Sequence, residues 1–118
     1  MKKIQTSLKN ELTKNYVFLN EMYQDEYFPN HCVDMAKGIL IDLCFQIESE
    51  KPASLEDLYK LSHAATEKFN NLAEVFYEND SEIETVARDC IGIDFEFVAH
   101  SYGYTNADTE ELIAPREW

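Results

Sequence analysis

The sequence predicts an all-α fold, a compact single-domain bundle of five or six helices spanning residues 1–118. Three observations predict it. Glycine and proline occur only three times each, so long stretches contain no helix-breaking residue. Apolar residues recur every three to four positions, the spacing of a helix with one buried face. Two serine-led capping patterns, at residues 54–57 and 81–84, indicate helix starts.

Helix one is predicted from Thr6 or Ser7, either of which can cap it, to Tyr23. Its stripe at helical spacing consists of Leu8, Leu12, Tyr16, Leu19 and Met22/Tyr23. Helix one should end before Pro29, because the residue that precedes a proline is pushed out of the helical region.

Helix two is predicted to start after Pro29 and Asn30 and to continue to about Ile47. Its apolar stripe is broad, which is typical of the central helix of a bundle. Gly38 lies inside this helix, and we expect it to allow close contact with a neighbouring helix.

Helix three is predicted from Ser54 to about Tyr77, with the clearest periodicity in the chain. Helix four is predicted to start at the second capping pattern, led by Ser81, and to end at Gly92.

A fifth segment, residues 95–102, is predicted as a separate helix capped by Asp94 and closed by Gly103. Phe95, Phe97 and Ala99 also alternate, so a short strand remains the alternative. A last short helix is expected around residues 107–113.

The formal net charge of −13 is unevenly distributed. Residues 1–14 hold four Lys and one Glu, a local +3, and residues 15–118 carry −16. Residues 70–114 contain eleven acidic residues and one basic residue, Arg88. The C-terminal half is therefore predicted to present an acidic surface, either as a solvated face or for recognition of a partner.

This charge opposes binding to nucleic acid phosphates and to anionic membranes. It favours a basic protein as partner, although acidity also serves solubility. We expect no signal peptide, because residues 1–20 contain no apolar stretch of that kind, and no membrane span, because no apolar run is long enough to cross a bilayer. Its three cysteines, Cys32, Cys44 and Cys90, lie on apolar stripes, so we expect a cytoplasmic protein with reduced thiols.

His63, Glu67 and Arg88 form a candidate polar site. His63 and Glu67 share a helix face, but a metal site needs three or four ligands and no third is indicated. Glu84 precedes Arg88 by four residues, the favourable order for an ion pair, so a structural role is preferred. A buried arginine that anchors Glu67 or the C-terminal tail is the alternative. We predict no catalytic residue, no metal and no cofactor, since the chain has no glycine-rich phosphate loop and no ordered acid–base pair.

Seven tyrosines exceed what one small core can hide, and tyrosine commonly anchors protein interfaces. Two segments combine tyrosines with acidic residues. The first predicted partner-binding surface consists of Tyr23, Asp25, Glu26 and Tyr27, and the second of Tyr102, Tyr104, Asp108, Glu110 and Glu111. Alternatively, the tyrosines edge the core and leave their hydroxyls in water.

Segments 22–29, 63–70, 81–89 and 110–118 resemble a small bacterial family of unknown function. The closing Glu-Glu-Leu-Ile-Ala-Pro-Arg-Glu-Trp is the most specific part of this resemblance. The resemblance covers nearly the whole chain and implies a bacterial origin and one compact domain. It implies no activity, cofactor or site residue.

Three functions fit these features. The leading hypothesis is a non-enzymatic acidic protein that binds and inhibits a basic protein, as a bacterial immunity protein or antitoxin binds a toxin. The second is a nucleic-acid mimic that acts as an anti-defence inhibitor, with carboxylates spaced like phosphates. The third is a small enzyme or ligand-binding protein with a site around His63, Glu67 and Arg88. A monomer and a homodimer are both consistent with the sequence.

Overall fold

The computed structural model describes residues 4–118. These form a 3-10 turn (Gln5–Ser7) and six helices: α1 (Glu11–Lys14), α2 (Asn20–Gln24), α3 (Asn30–Glu50), α4 (Leu55–Glu78), α5 (Thr85–Ser101) and α6 (Thr109–Leu112). No strand occurs among the described residues, which confirms the all-α prediction and the prediction of helix, and not strand, for residues 95–101. Lys2 and Lys3, which contribute to the positive charge of residues 1–14, lie outside the described residues.

The two long helices, α3 and α4, match their predictions closely. The Ser54 hydroxyl accepts a hydrogen bond from the backbone N–H of Asp57 at 3.2 Å and so caps α4 as predicted. Lys51 ends α3 in the left-handed region, with φ of 48°, and donates its N–H to the carbonyl of Ile47. α3 packs along α4 and also contacts α2 and α5, so it is the central helix that its broad stripe predicts.

The prediction of one continuous first helix is wrong. Residues 11–24 form the two short helices α1 and α2, separated by a bend and a turn. The cap of α1 is Asn10, whose side chain accepts hydrogen bonds from the backbone N–H groups of Leu12 and Thr13. Leu12, assigned to the buried stripe, is 60% exposed.

Two carboxylates from distant helices bind the backbone where the predicted helix is interrupted. Glu48 of α3 accepts hydrogen bonds from the backbone N–H groups of Lys9 and Asn10, at 3.0 and 3.1 Å. Asp94 of α5 accepts one from the N–H of Leu19 at 2.7 Å. Leu19 has a left-handed φ of 55°, which costs a non-glycine residue about 1–2 kcal/mol. These tertiary hydrogen bonds therefore stabilise a conformation that the local sequence does not favour.

The prediction of two helices within residues 81–102 is also wrong, because α5 is continuous. Gly92 lies inside α5 instead of ending it. A Cβ atom there would meet side-chain atoms of Thr109 and Ile113 at 3.5 and 3.7 Å, so α6 packs directly across this position. Asp94 does not cap a helix; its carboxylate faces the N-terminal segment.

The second predicted capping box is wrong as well. α5 begins at Thr85, and Glu84 at the cap position makes no side-chain capping hydrogen bond. Ser81 is buried, and its hydroxyl has no hydrogen bond to any described residue. The backbone N–H of Ser81 donates instead to the carbonyl of Phe76, which folds this segment back onto the end of α4.

The core is apolar and includes the three cysteines, which are buried and unbridged as predicted: Cys32, Cys44 and Cys90. Burial raises the pKa of the Cys44 thiol to about 12 and that of Cys90 to about 11. Both thiols are therefore protonated at neutral pH and act as small core side chains.

Gly38→Ala is expected to raise the free energy of unfolding by about 0.5–1 kcal/mol. The expectation of a close helix contact at Gly38 is wrong, since nothing lies within 4 Å of the position of a Cβ atom. Alanine removes the helix penalty of glycine there without a clash. Chemical denaturation measures the gain, and a loss would contradict the prediction. Gly103→Ala is the control and should destabilise, because Gly103 has a φ of 94°.

Candidate functional site

The first predicted contact segment forms the turn between α2 and α3. Phe28 is buried, and the ring of Tyr27 packs edge-on against it with a centroid distance of 5.2 Å. The carboxylate of Asp25 accepts a hydrogen bond from the backbone N–H of Tyr27 at 3.0 Å. Tyr27 stays 41% exposed, and Glu26 is exposed beside it. In this turn, the accessible Tyr27 therefore packs against the buried Phe28.

The fold brings the α4–α5 connection near this turn, because Phe76 at the end of α4 packs against Phe28 with a centroid distance of 6.4 Å and accepts a hydrogen bond from the N–H of Ser81. Partial burial and the negative charges of Glu84 and Glu82 raise the pKa of the Tyr27 hydroxyl. Both glutamates are exposed. We define the Tyr27 surface as Asp25, Glu26, Tyr27, Glu82 and Glu84. It combines an exposed tyrosine with four carboxylates from two distant segments of the chain.

Tyr23, predicted as part of the same surface, is half-buried against the core. Its hydroxyl donates a hydrogen bond to the carboxylate of Asp34 at 2.5 Å, and burial together with this bond raises the pKa of Tyr23. Tyr23 thus links α2 to α3, and its role as a partner anchor stays a prediction.

The tyrosines of the second predicted surface are half-buried at the end of α5. The Tyr102 hydroxyl donates to Glu48 at 2.5 Å and lies 3.0 Å from the hydroxyl of Thr13. The Tyr104 hydroxyl donates to the carbonyl of Pro52 at 2.5 Å. Both hydroxyls therefore connect segments within the chain, and their contact with a partner stays a prediction.

The acidic residues of the second surface have separate local environments. Asp108 caps α6 by accepting a hydrogen bond from the N–H of Glu110 at 3.1 Å. Glu110 forms an ion pair with Arg116 at 3.0 Å. The side chain of Glu111 is exposed, while its carbonyl accepts a hydrogen bond from Nε2 of His63 at 2.6 Å. Because Arg116 offsets one carboxylate, this segment is less acidic than the Tyr27 surface.

Among the described residues, His63, Glu67 and Arg88 form no hydrogen bond or ion pair with one another, and their shared site stays a prediction. His63 contacts the start of the C-terminal tail, Glu67 is exposed, and Nε of Arg88 donates to the carbonyl of Trp118 at 3.2 Å. Arg88 therefore anchors the tail, and within the described chain it forms no ion pair with Glu84. Among residues 4–118, no three His, Cys, Asp or Glu side chains are grouped as ligands for a metal ion.

The C-terminal segment lies across α4. Asn70 donates a hydrogen bond to the carbonyl of Pro115 at 3.0 Å and accepts one from the N–H of Glu117 at 2.8 Å. The ring of Trp118 packs near Phe69 with a centroid distance of 6.0 Å. The residues of the Glu-Glu-Leu-Ile-Ala-Pro-Arg-Glu-Trp segment thus make structural contacts with α4.

A groove between α5 and residues 12–21 contains apolar residues that the sequence analysis did not assign to any site. Val17 and Ile93 are 66% and 62% exposed and line a hollow of about 500 Å³. A second hollow of about 370 Å³ shares Ile93 as a lining residue. We define the α5 groove by Leu12, Tyr16, Val17, Ile93 and Phe97, with the exposed carboxylates of Glu21 and Glu96 beside them. Val17 is not part of the predicted stripe of helix one, and Ile93 falls between predicted helices four and five. Apolar residues without a predicted buried position were therefore the signal in the sequence.

Asp94 lies under the larger hollow and is only 3% exposed. It accepts hydrogen bonds from the Tyr16 hydroxyl at 2.6 Å and from the N–H of Leu19 at 2.7 Å. Burial raises the pKa of Asp94, while the two hydrogen bonds oppose that effect. The Tyr16 ring stacks on Phe97 with a centroid distance of 3.8 Å and an interplanar angle of 15°. The stacked rings of Tyr16 and Phe97 therefore form one side of the groove, and the hydrogen bond from the Tyr16 hydroxyl to Asp94 holds the Tyr16 ring in place.

These features define a class of protein: a small, acidic, all-α domain with exposed acidic and apolar side chains. The chain belongs to DUF5713, a family of unknown function whose model matches residues 12–118. No curated protein and no solved structure matches it. Within the described part of the chain, none of the helices combines the length and the apolar character needed to cross a bilayer.

Proposed function

We propose that this protein is a non-enzymatic binding protein that docks on a basic protein and inhibits it, as a bacterial immunity protein or antitoxin does. The observation that carries the proposal is the Tyr27 surface. There, an exposed tyrosine lies beside Asp25 and Glu26 of the α2–α3 turn. Phe28 of the same turn packs near Phe76, onto which the segment that carries Glu82 and Glu84 folds back. The net charge of −13 adds a long-range attraction for a basic protein.

The two parts of this surface have different roles in binding. An aromatic side chain with a polar rim is typical of the residues that contribute most to interface energy. Tyr27 suits that role because Phe28 holds its turn against the core. The surrounding carboxylates speed the encounter with a basic partner and disfavour an acidic one, and steering of this kind raises association rates by about 10–10³-fold.

Two features support a bacterial origin and a cytoplasmic location for this protein. The resemblance of residues 110–118 to a bacterial signature supports a bacterial origin. Three buried, unbridged cysteines fit a reducing cytoplasm, the compartment in which an antitoxin or immunity protein would protect its own cell.

A photo-crosslinking amino acid at position 27 tests this function in the cells that produce the protein. We expect a crosslink to a basic protein, and we expect association with that protein to slow about tenfold between about 50 and 500 mM salt. The matched control is the same amino acid at Tyr77, which is 72% exposed and lies outside the Tyr27 surface. It should give no such crosslink.

A double variant, Glu82→Gln with Glu84→Gln, separates the surface charge from the net charge. It should slow association with the crosslinked protein, whereas the exposed control pair Glu74→Gln and Glu78→Gln should leave the rate nearly unchanged. Crosslinks of equal yield from positions 27 and 77, or a captured protein that is acidic, would refute the proposed function.

A further inference from the structure

We propose that the α5 groove is the docking site for an amphipathic basic helix of the partner, an inference that rests on the proposed function. The groove is a concave, apolar surface separate from the residues that define the Tyr27 surface. Its two hollows, of about 500 and 370 Å³, are neighbours that share Tyr16 and Ile93.

The apolar character of the groove indicates a contact surface. Leu12, Val17 and Ile93 are 60%, 66% and 62% exposed, and they are three of the eight large apolar side chains that the described residues expose. Large aliphatic side chains gathered around a hollow are typical of sites that bind an apolar group of a partner. The stacked rings of Tyr16 and Phe97 add a flat wall against which an aliphatic side chain can pack.

The charge of the groove selects a basic occupant. Glu21 and Glu96 line the two hollows with exposed carboxylates, and one oxygen of Glu96 accepts a hydrogen bond from the Thr109 hydroxyl while the side chain stays exposed. His100 lines the smaller hollow, and no described residue that lines either hollow is Lys or Arg. Asp94 is bound to Tyr16 and Leu19, so it is not free to pair. A second copy of this chain would bring like charges together across the interface. Lysine or arginine side chains of a partner would meet Glu21 and Glu96 favourably.

The length of the groove fits a helix of about three turns. The lining residues of α5 run from Cys90 to Ser101, eleven residues apart, or roughly 16 Å at ~1.5 Å per residue. In helix-in-groove binding, apolar residues spaced three, four or seven positions apart enter neighbouring hollows. The two hollows provide such a pair of subsites, and the acidic residues beside them would receive the basic flanks of the helix.

A defined peptide tests this inference with the full-length protein. The probe is a fluorescent peptide of about 18 residues in which leucines recur at helical spacing and lysines fill the other positions. Its matched control carries glutamate in place of every lysine. Fluorescence anisotropy should show binding of the lysine peptide alone, and NMR shifts should concentrate at Val17, Ile93 and Phe97.

Variants of the groove make the test specific. The double variant Val17→Ser with Ile93→Ser should weaken binding of the lysine peptide by about tenfold or more, because both side chains are exposed and contact the ligand. Met35→Ser, at a residue that is 48% exposed outside the groove, should leave binding unchanged. Circular dichroism and thermal melting check that the variants are folded.

Three results would overturn the inference. The first is unchanged peptide binding by the groove variant, and the second is a set of NMR shifts confined to the Tyr27 surface. The third is a stable dimer, seen by sedimentation velocity, that the groove variant dissociates, because the occupant would then be a second copy. None of these refutes the proposed function, which fails only if positions 27 and 77 give crosslinks of equal yield or if the captured protein is acidic.

Discussion

Asp94→Ala is expected to lower the free energy of unfolding by about 2–4 kcal/mol, the largest loss that we predict for a single polar side chain. The substitution leaves two donors without their acceptor, the hydroxyl of Tyr16 and the backbone N–H of Leu19. Leu19 is fully buried, so water cannot replace the lost bond to its N–H. A buried donor left unpaired costs about 1–3 kcal/mol, and release of a desolvated carboxylate offsets part of the total.

The stability lost in Asp94→Ala should be accompanied by local opening of the chain around Leu19, which a general packing defect would not cause. The left-handed turn at Leu19, with φ of 55°, depends on the bond to Asp94 and precedes α2. Chemical denaturation measures the total loss. Hydrogen exchange should show that amides of residues 17–24 lose protection earlier than those of α3 and α4.

Asp94→Asn is the matched control, because an amide keeps one carbonyl acceptor at almost the same size. It should cost about 1–2 kcal/mol, less than alanine. An alanine variant within about 0.5 kcal/mol of the wild type, or uniform loss of protection throughout the chain, would show that this contact does not hold the N-terminal segment.

The second prediction is that the half-buried carboxylate of Glu48 and the buried carboxylate of Asp94 affect stability with opposite dependence on pH. Burial alone would raise the pKa of Glu48, but hydrogen bonds from Tyr102 and from the backbone N–H groups of Lys9 and Asn10 outweigh it and lower the pKa. Burial dominates for Asp94 and raises its pKa. The two groups therefore bind protons differently on folding, although both accept hydrogen bonds from the N-terminal segment.

For Glu48, the folded pKa is depressed, so its contribution to stability is present above the unfolded pKa of about 4.3. That contribution is lost as the pH falls through the folded pKa. The stability advantage of the wild type over Glu48→Gln should therefore shrink on acidification.

For Asp94, the folded pKa is raised, so the part of its contribution that depends on protonation is fully present below the unfolded pKa of about 3.9 and is lost as the pH rises through the folded pKa. Its hydrogen bonds to Tyr16 and Leu19 stabilise the fold in addition to this part. The advantage of the wild type over Asp94→Asn should grow on acidification. Denaturation curves of the three proteins between about pH 3 and 7 measure both differences, and slopes of the same sign would contradict the prediction.

The long helices were predictable because their determinants are local. The period of apolar residues in α4 and the hydroxyl of Ser54 act within a few residues of each other, so the sequence alone places both the buried face and the start of the helix. α3 was predictable for the same reason, since Pro29 restricts its start and its broad stripe faces several neighbours.

The short helices were not predictable because long-range contacts override local preferences there. The stripe from Leu8 to Tyr23 fits one helix, yet Glu48 and Asp94 bind backbone N–H groups where it is interrupted. Gly92 has the local character of a helix stop. In the fold it is a contact point for α6, and α5 continues through it.

The two candidate surfaces also combine features that were predictable from local sequence with features that depend on long-range contacts. The exposed tyrosine and acidic residues of the α2–α3 turn were visible in the sequence. The approach of Glu82 and Glu84, more than fifty residues further along the chain, was not. The α5 groove was missed because Leu12 fits a buried stripe by spacing, whereas the break after α1 leaves it exposed.

The sequence by itself determined the all-α class, the two long helices, the buried cysteines and the charge of −13, because composition and helical period do not depend on distant contacts. The tertiary structure decided the breaks around α1, the continuity of α5 and the positions of both candidate surfaces. The physical reason is that a carboxylate that folding removes wholly or partly from water, as Asp94 and Glu48 are, needs hydrogen-bond donors from the protein. Glu48 and Asp94 find theirs in the backbone of a segment that would otherwise satisfy its N–H groups as a helix.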